Sequence, residues 1–342
     1  TTVGATIYVT TATLRPMFQA RINQQVPVAF SNALAGIVGK LPAQDQGWAQ
    51  QMATTLIAPS ASLTGLSTQA GGLATSLSIS LYPGDPKPIA ASMLVSFTVK
   101  TASTVQVTVK PLNGSPTVVN GPLATFQVPV GQLNGIRTAP NCGDAALAVG
   151  LNFPVSLGSK SVSSFQSSGQ TTAFNASGNS AMMGSKLSQA KQNMGTSTYP
   201  SYVELPSSSL AAIGNSIKSL PISSSQTAQN ISVGVSGSDM IINSDIYDSF
   251  WGKIGTAQTL VAPTSTNGNL AVHVLSTIVK VFGIFSISYN SYNAQIEQML
   301  NAKLNGALTG KFYVTNAAIG FNAHVPCAAS NSLVLTGTAN LG

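Results

Sequence analysis

The sequence predicts a mainly β fold with a minority of helix: β-sandwich-like lobes plus amphipathic helices, in a secreted two-lobe protein. Runs of apolar residues that alternate with Ser and Thr recur along the 342 residues, and a period of two is typical of half-buried strands. Several shorter regions have the spacing of amphipathic helices instead. Charged residues make up only 7% of the chain, against roughly a quarter in ordinary soluble domains.

The first predicted element is an N-terminal strand within residues 1–15. One face of this strand carries four apolar side chains: Val3, Ala5, Ile7 and Val9. The other face carries Thr, Gly and Tyr, so we expect that face to look outward. Terminal residues fray unless something pairs with them. We therefore expect the strand to pair either within its own sheet or, by exchange between subunits, with the sheet of a neighbour.

Residues 16–157 predict a lobe in which helices precede strands. Pro16 is predicted as the first residue of a helix, and Pro27 is predicted to break or restart that helix. The strongest hairpin prediction joins two alternating runs, Met93–Val99 and Val105–Val109.

Residues 158–230 are rich in Ser, Asn and Gln and predict a connecting region, which is a linker, a decorated loop or a small inserted lobe. Short helices are predicted at Met182–Met194 and Leu210–Lys218. Asn175 and Asn230 each begin an Asn-X-Ser sequon. Both are candidate glycosylation sites, so attached glycans are candidate partners.

Residues 231–342 predict a C-terminal β lobe with one helix. The most hydrophobic run, Ile278–Ile287, has the length of a strand and contains Lys280, and one strand is predicted across it. The helix carries an apolar stripe that begins at Ile296 and Met299.

The two cysteines, Cys142 and Cys327, lie too far apart for a local metal motif. A single disulfide is the expected use in an exported chain, and two buried free thiols are the alternative. The chain starts at Thr1 without Met, which we interpret as a mature form that has lost its targeting segment. No apolar stretch of 18 residues predicts a transmembrane helix, and extracellular or cell-surface localisation is expected.

The net charge of +7 results from 15 basic and only eight acidic residues. The basic residues are scattered singly, whereas nucleic-acid-binding proteins concentrate them in a patch, so no nucleic-acid partner is predicted. No HExxH, GxSxG or P-loop motif occurs, and we predict no enzyme and no cofactor. His273 and His324 are interpreted as ordinary strand residues.

One acidic group is local and consists of Asp239, Asp245 and Asp248. Clustered oxygen ligands suit Ca²⁺, but the spacing matches no EF-hand. Helix capping or a solvated loop is the preferred interpretation, and no metal site is predicted.

These features favour a structural subunit of an extracellular filament, sheath or surface layer, which would be a homopolymer associated with the cell surface. In this hypothesis the N-terminal strand joins the copies by β-strand addition. A viral capsid protein would share most of the features, and a secreted hydrolase has no positive support.

The alternative is a secreted carrier of lipids or other apolar ligands. In each half of the chain, helices and long alternating strands together resemble the element order of tubular lipid-binding (TULIP) proteins. The resemblance covers element order alone and implies no particular residues. It requires an apolar cavity of at least a few hundred Å³, whereas an assembly subunit would have a filled core.

Overall fold

The structure is a computed structural model that describes residues 2–112, 124–129, 133–155, 157, 201–305, 307–308 and 312–339. Over these residues the chain is mainly β and forms three antiparallel sheets and four α-helices, which confirms the predicted fold class. The predicted helix at Met182–Met194 and the candidate site Asn175 lie outside the described residues.

The strands are β1 (Thr2–Thr10), β2 (Ser60–Gln69), β3 (Gly72–Ser80), β4 (Ile89–Thr101), β5 (Thr104–Pro111), β6 (Ala124–Pro129), β7 (Leu133–Thr138), β8 (Ala145–Pro154), β9 (Ser201–Leu205), β10 (Ser219–Pro221), β11 (Gln226–Ser236), β12 (Asp239–Asp248), β13 (Gly252–Thr266), β14 (Asn269–Val281), β15 (Phe285–Ser288), β16 (Phe312–Ile319) and β17 (Leu333–Ala339). The helices are α1 (Thr11–Val38), α2 (Ala43–Leu56), α3 (Ser207–Ser216) and α4 (Asn293–Leu304).

The first sheet, here the shared sheet, has the strand order β16-β17-β9-β1-β8-β7. β1 lies inside this sheet: Ile7 is opposite Val149 of β8 on one side and Val203 of β9 on the other. The sheet therefore combines the N-terminal strand with strands from both predicted lobes. The boundaries drawn between those lobes stay a prediction.

The first meander sheet contains β2 to β6 in chain order, and the predicted hairpin is confirmed as the β4–β5 ladder. The prediction for α1 was wrong in two respects. The helix begins at Thr11, where the Thr10 side chain accepts a hydrogen bond from the Thr13 N–H, and it continues through both Pro16 and Pro27. Each proline removes one backbone donor, but the residues around it keep helical geometry and continue the helix.

The second meander sheet contains β10 to β15, again in chain order. Of the three alternatives left open for residues 158–230, a linker does not describe residues 201–230, which form β9, α3, β10 and the start of β11. One prediction is corrected here. The run Ile278–Ile287 is not one strand, because a turn at Phe282–Gly283 divides it between β14 and β15.

One continuous apolar core contains side chains from all three sheets. A second, smaller core covers the opposite face of the shared sheet and includes Tyr8, Cys142 and Val325. The expectation that the Thr/Tyr face of β1 looks outward is therefore wrong for Tyr8 and Thr10, which are both buried. The segment that contains Cys327 covers this part of the strand, and burial of the Tyr8 ring contributes apolar contact area.

Candidate functional site: an apolar cavity and an exposed aromatic tip

A cavity of about 680 Å³ lies between one face of the second meander sheet and α4. Its sheet wall includes residues of β10 and β11 together with alternate residues of three further strands. These are Ile242, Ser244 and Ile246 of β12, Ala257 and Thr259 of β13, and Thr277, Val279 and Val281 of β14. The intervening residues on the other face are mostly polar, such as Asn243, Gln258 and Lys280, although the exposed Ile278 also lies there. This alternation gives the sheet a mainly apolar face for the cavity and a solvated face opposite it.

The helix wall of the cavity includes Ile296, Met299 and Leu300 of α4, which are part of the stripe that the sequence predicts. Their i, i+3, i+4 spacing places them on one helical face.

Side chains of α4 hold the helix against β14. Asn301 accepts a hydrogen bond from the Val272 N–H at 2.8 Å and donates one to the Val272 carbonyl at 3.1 Å. One turn earlier, Glu297 accepts from the Val274 N–H at 2.9 Å, and Asn293 accepts from the Thr277 hydroxyl at 2.9 Å. The helix thus replaces a neighbouring strand along this edge.

The position of this helix leaves one side of the cavity open. Asn293, at the start of α4, bonds to Thr277, and Asn301, near the end of the helix, bonds to Val272. The helix therefore runs along β14 away from the end of that strand at Val281. The exposed lining residues are Pro221 at the end of β10, Ile222 and Ser223 of the β10–β11 connection, and Tyr292 and Gln295. They form the mouth, which lies toward the end of the sheet where β14 turns into β15.

The chemistry of the cavity wall is neutral. None of its lining residues is Lys, Arg, His, Asp or Glu. The wall includes the Thr259 side chain, only 7% exposed, whose hydroxyl has no hydrogen-bond partner among the described residues. Such a wall suits an uncharged, mostly apolar molecule with a hydroxyl or carbonyl group.

Large apolar side chains protrude beside this mouth. We call the aromatic tip the five exposed residues Phe250, Trp251, Phe282, Ile284 and Phe285. Phe250 and Trp251, 82% and 74% exposed, occupy the β12–β13 turn, where their rings meet edge to face at 5.0 Å. The other three lie at the β14–β15 turn.

Hydrogen bonds fix these turns at one end of the sheet. The Asp248 carboxylate accepts from the backbone N–H groups of Phe250 and Trp251 at 2.9 and 3.2 Å, and these bonds hold the pKa of Asp248 below its usual range. The Phe282 N–H donates to the Ile254 carbonyl. The Ser249 N–H donates to the Ser225 carbonyl, which ties the β12–β13 turn to the β10–β11 connection.

The four predicted residues of the N-terminal strand, Val3, Ala5, Ile7 and Val9, are all buried in the core of their own chain. The structure thus has β1 paired within its own sheet. Exchange of this strand between subunits stays a prediction.

Cys142 and Cys327 are bonded to each other, with Cα atoms 5.2 Å apart, as the sequence predicts. Both histidines are exposed and each approaches one carboxylate at 2.7 Å: His273 approaches Glu297, and His324 approaches Asp144.

Asn230 is exposed at a bulge in β11 and donates a hydrogen bond to Asp245 at 2.8 Å. The expectation that the acidic group caps a helix or lies in a solvated loop is wrong, because Asp239, Asp245 and Asp248 all belong to β12. Asp245 also pairs with Lys253 at 2.9 Å. The described residues include no group of three or more His, Cys, Asp or Glu side chains with metal-binding geometry.

Sequence reasoning missed both the cavity and the aromatic tip. The adjacent Phe250 and Trp251 lie between two alternating runs, next to Gly252, and this was the available signal for an exposed aromatic turn. The turn at Phe282–Gly283 gave a weaker signal, because Phe is not a turn-forming residue.

Comparisons with protein-family models, with curated proteins and with solved structures find no match for this chain. Over the described residues, no helix combines the length and apolar character needed to cross a membrane.

Proposed function

We propose that the protein binds a neutral, mostly apolar small molecule in the cavity under α4. One observation carries this proposal: a cavity of about 680 Å³ with an apolar, uncharged wall. This volume is within the range of small-molecule sites and exceeds the few hundred Å³ that the carrier hypothesis requires. An extracellular location is part of the proposal and is supported by the Cys142–Cys327 disulfide.

The test is the binding of an uncharged fluorescent probe, N-phenyl-1-naphthylamine, to the purified protein. Ala257→Phe places a ring on the cavity wall and should weaken probe binding at least tenfold by filling the volume. Gln258→Phe is the matched control, since this neighbouring residue is exposed and belongs to the opposite face of β13. Equal probe binding by both variants would contradict the proposed site. Native mass spectrometry of the purified protein would identify any molecule that copurifies.

A second candidate function is a subunit of a self-assembling extracellular filament, sheath or surface layer. The observation that favours it is α2, which contains no buried residue. Its apolar side chains Trp48, Met52 and Leu56 recur every fourth residue and are all exposed. An apolar stripe without a partner in its own chain suits contact with another copy.

Electron microscopy of natively isolated protein would distinguish ordered polymers from dispersed molecules. If β1 exchanges between copies, Ile7→Asp should prevent assembly and leave a folded monomer. If β1 serves only its own sheet, the same substitution should instead lower the melting temperature sharply, because it places an unpaired charge in the core. Trp48→Ser tests the α2 stripe separately: normal polymers from this variant would exclude that stripe as a contact.

A further inference from the structure

We infer that the aromatic tip inserts into the interface of a lipid bilayer and places the mouth of the cavity against it. The inference rests on the proposed function, because the bilayer would be the source or the destination of the apolar ligand.

The first argument is the continuity of the tip with the cavity. Val281 lines the cavity and Phe282 follows it directly in the tip. Ile254 also lines the cavity, and its carbonyl accepts the hydrogen bond from the Phe282 N–H. A lipid phase that covers the tip would therefore also meet the mouth. An apolar ligand would then pass between bilayer and cavity with little exposure to water.

The second argument is the shape of the patch. Its side chains protrude from the turns of separate hairpins at one end of the sheet. A deformable acyl-chain region accommodates such protruding side chains without a shaped counterpart, and aromatic residues prefer the membrane–water boundary.

The third argument is the strained backbone of Phe282, at a turn where the fold does not require a bulky side chain. Phe282 has φ +50°, a conformation in which a bulky side chain is a genuine outlier. Asn267 adopts the same φ of +50° in the equivalent position of the β13–β14 turn, where Asn is a favoured residue. Retention of a large apolar side chain at a strained, solvent-exposed turn points to a role outside the fold.

The charges near the tip are balanced. Lys253 pairs with Asp245, while Asp248 and the exposed Lys280 oppose each other in sign. We therefore expect burial of apolar area to drive the contact, without a requirement for anionic lipid. Binding should change less than twofold between low and high salt, because screening acts on charges and not on apolar burial.

The experiment uses vesicles of zwitterionic phosphatidylcholine and the two tryptophans of the chain. Trp48→Phe leaves Trp251 as the only tryptophan, and its emission should shift to the blue and be quenched by brominated acyl chains. Trp251→Phe leaves Trp48, which is 66% exposed on α2 and should show neither effect. Quenching of Trp48 instead of Trp251 would overturn the inference.

A flotation assay with the same vesicles measures the contribution of the tip to binding. The double variant Phe250→Ser/Trp251→Ser should bind at least tenfold more weakly. The matched double variant Tyr82→Ser/Phe321→Ser removes two exposed aromatic side chains elsewhere and should bind within twofold of the unaltered protein. Retained naphthylamine binding by the tip variant would show that it is folded.

The outcomes separate the two proposals. If the unaltered protein binds the probe in solution but does not float with vesicles, the membrane contact is wrong and the proposed function stands. If it floats but binds no probe, the membrane contact is supported and the proposed function is wrong. If the tip variant changes only self-association, the patch is an interface between copies, which also overturns the membrane contact.

Discussion

The two ends of the second meander sheet carry turns of similar backbone geometry, but one turn packs against the rest of the protein and the other presents apolar side chains to solvent. At one end, which we call the anchored end, the β13–β14 turn at Asn267–Gly268 contacts the shared sheet: the Val314 N–H donates to the Gly268 carbonyl at 2.9 Å. At the other end, which we call the free end, Phe282–Gly283 has nearly the same pair of positive φ angles but carries exposed apolar side chains. The same turn geometry thus serves packing at one end and a surface at the other.

The largest expected effect comes from alanine at the equivalent glycines of these two turns. In Gly268→Ala the new methyl group would overlap the Tyr313 ring, and φ is +79°. In Gly283→Ala, at φ +72°, it meets nothing within 4 Å. We expect a loss of about 3 kcal/mol or more for Gly268→Ala and about 1 kcal/mol for Gly283→Ala. Denaturant unfolding measures both, and equal losses would contradict the distinction between the ends.

A smaller effect is expected for the helix that covers the sheet toward the anchored end. Asn301→Leu removes both hydrogen bonds to Val272 and leaves a partly buried N–H and carbonyl without that partner. The expected loss is about 1–3 kcal/mol. Gln298→Leu, at an exposed position of the same helix, serves as the control and should change stability by less than about 0.5 kcal/mol. Thermal unfolding of the two variants side by side measures the difference.

At the free end, Phe282→Asn should act in the opposite direction. Asn tolerates a positive φ that is unfavourable for Phe, so we expect a gain of about 0.5–1 kcal/mol in the free energy of unfolding. The same variant should bind vesicles more weakly. Denaturant unfolding and flotation on one preparation would reveal the trade-off. A variant that is less stable than the unaltered protein would show that Phe282 contributes packing to the fold.

The smallest effect concerns acid. The Val274 N–H and then His273 lower the pKa of Glu297, and the turn N–H groups lower that of Asp248. A depressed folded-state pKa contributes stability that is present above the unfolded-state value and lost as pH falls through the folded-state value. With eight carboxylates in the whole chain, we expect little loss of structure between neutral pH and about pH 3. Circular dichroism would detect a cooperative transition above pH 4, which would contradict this expectation.

Glu297→Gln sharpens that test. It keeps a hydrogen-bond acceptor for the Val274 N–H but removes the titration. The variant should therefore lose the part of the acid response that belongs to α4, while the response that belongs to Asp248 remains.

The sequence correctly predicted the elements whose apolar residues recur at the regular spacing of a strand or a helix. The β4–β5 hairpin followed from strict alternation, and Phe97 indeed pairs with Val107. The stripe at Ile296 and Met299 correctly predicted α4. Prediction failed where a residue occupies a position that its local preference disfavours, as at Pro27, which lies inside a continuous helix, and at Phe282, which occupies a turn.

The cavity could not be read from the sequence for a different reason. The alternation in β12 to β14 predicts an apolar face, but the pattern is the same for a filled core and for a cavity wall. Volume depends on how far α4 extends across that face. That extent is set by the long-range bonds of Asn293, Glu297 and Asn301 to β14. The aromatic tip was missed because exposure of Phe and Trp is set by strand register, which no local pattern specifies.

The interior position of β1 has a consequence for the order in which the molecule is built during synthesis. Its two ladders need Leu147 and Val203, and the sheet then continues to Leu335 of β17. β1 leaves the ribosome before both of its partner strands and must therefore wait for residues made more than a hundred positions later, while the first meander sheet pairs neighbours as they emerge. Such long-range pairing slows folding and leaves apolar strand faces exposed in the meantime. We therefore expect β1 to be the segment that most needs chaperone protection in the nascent chain.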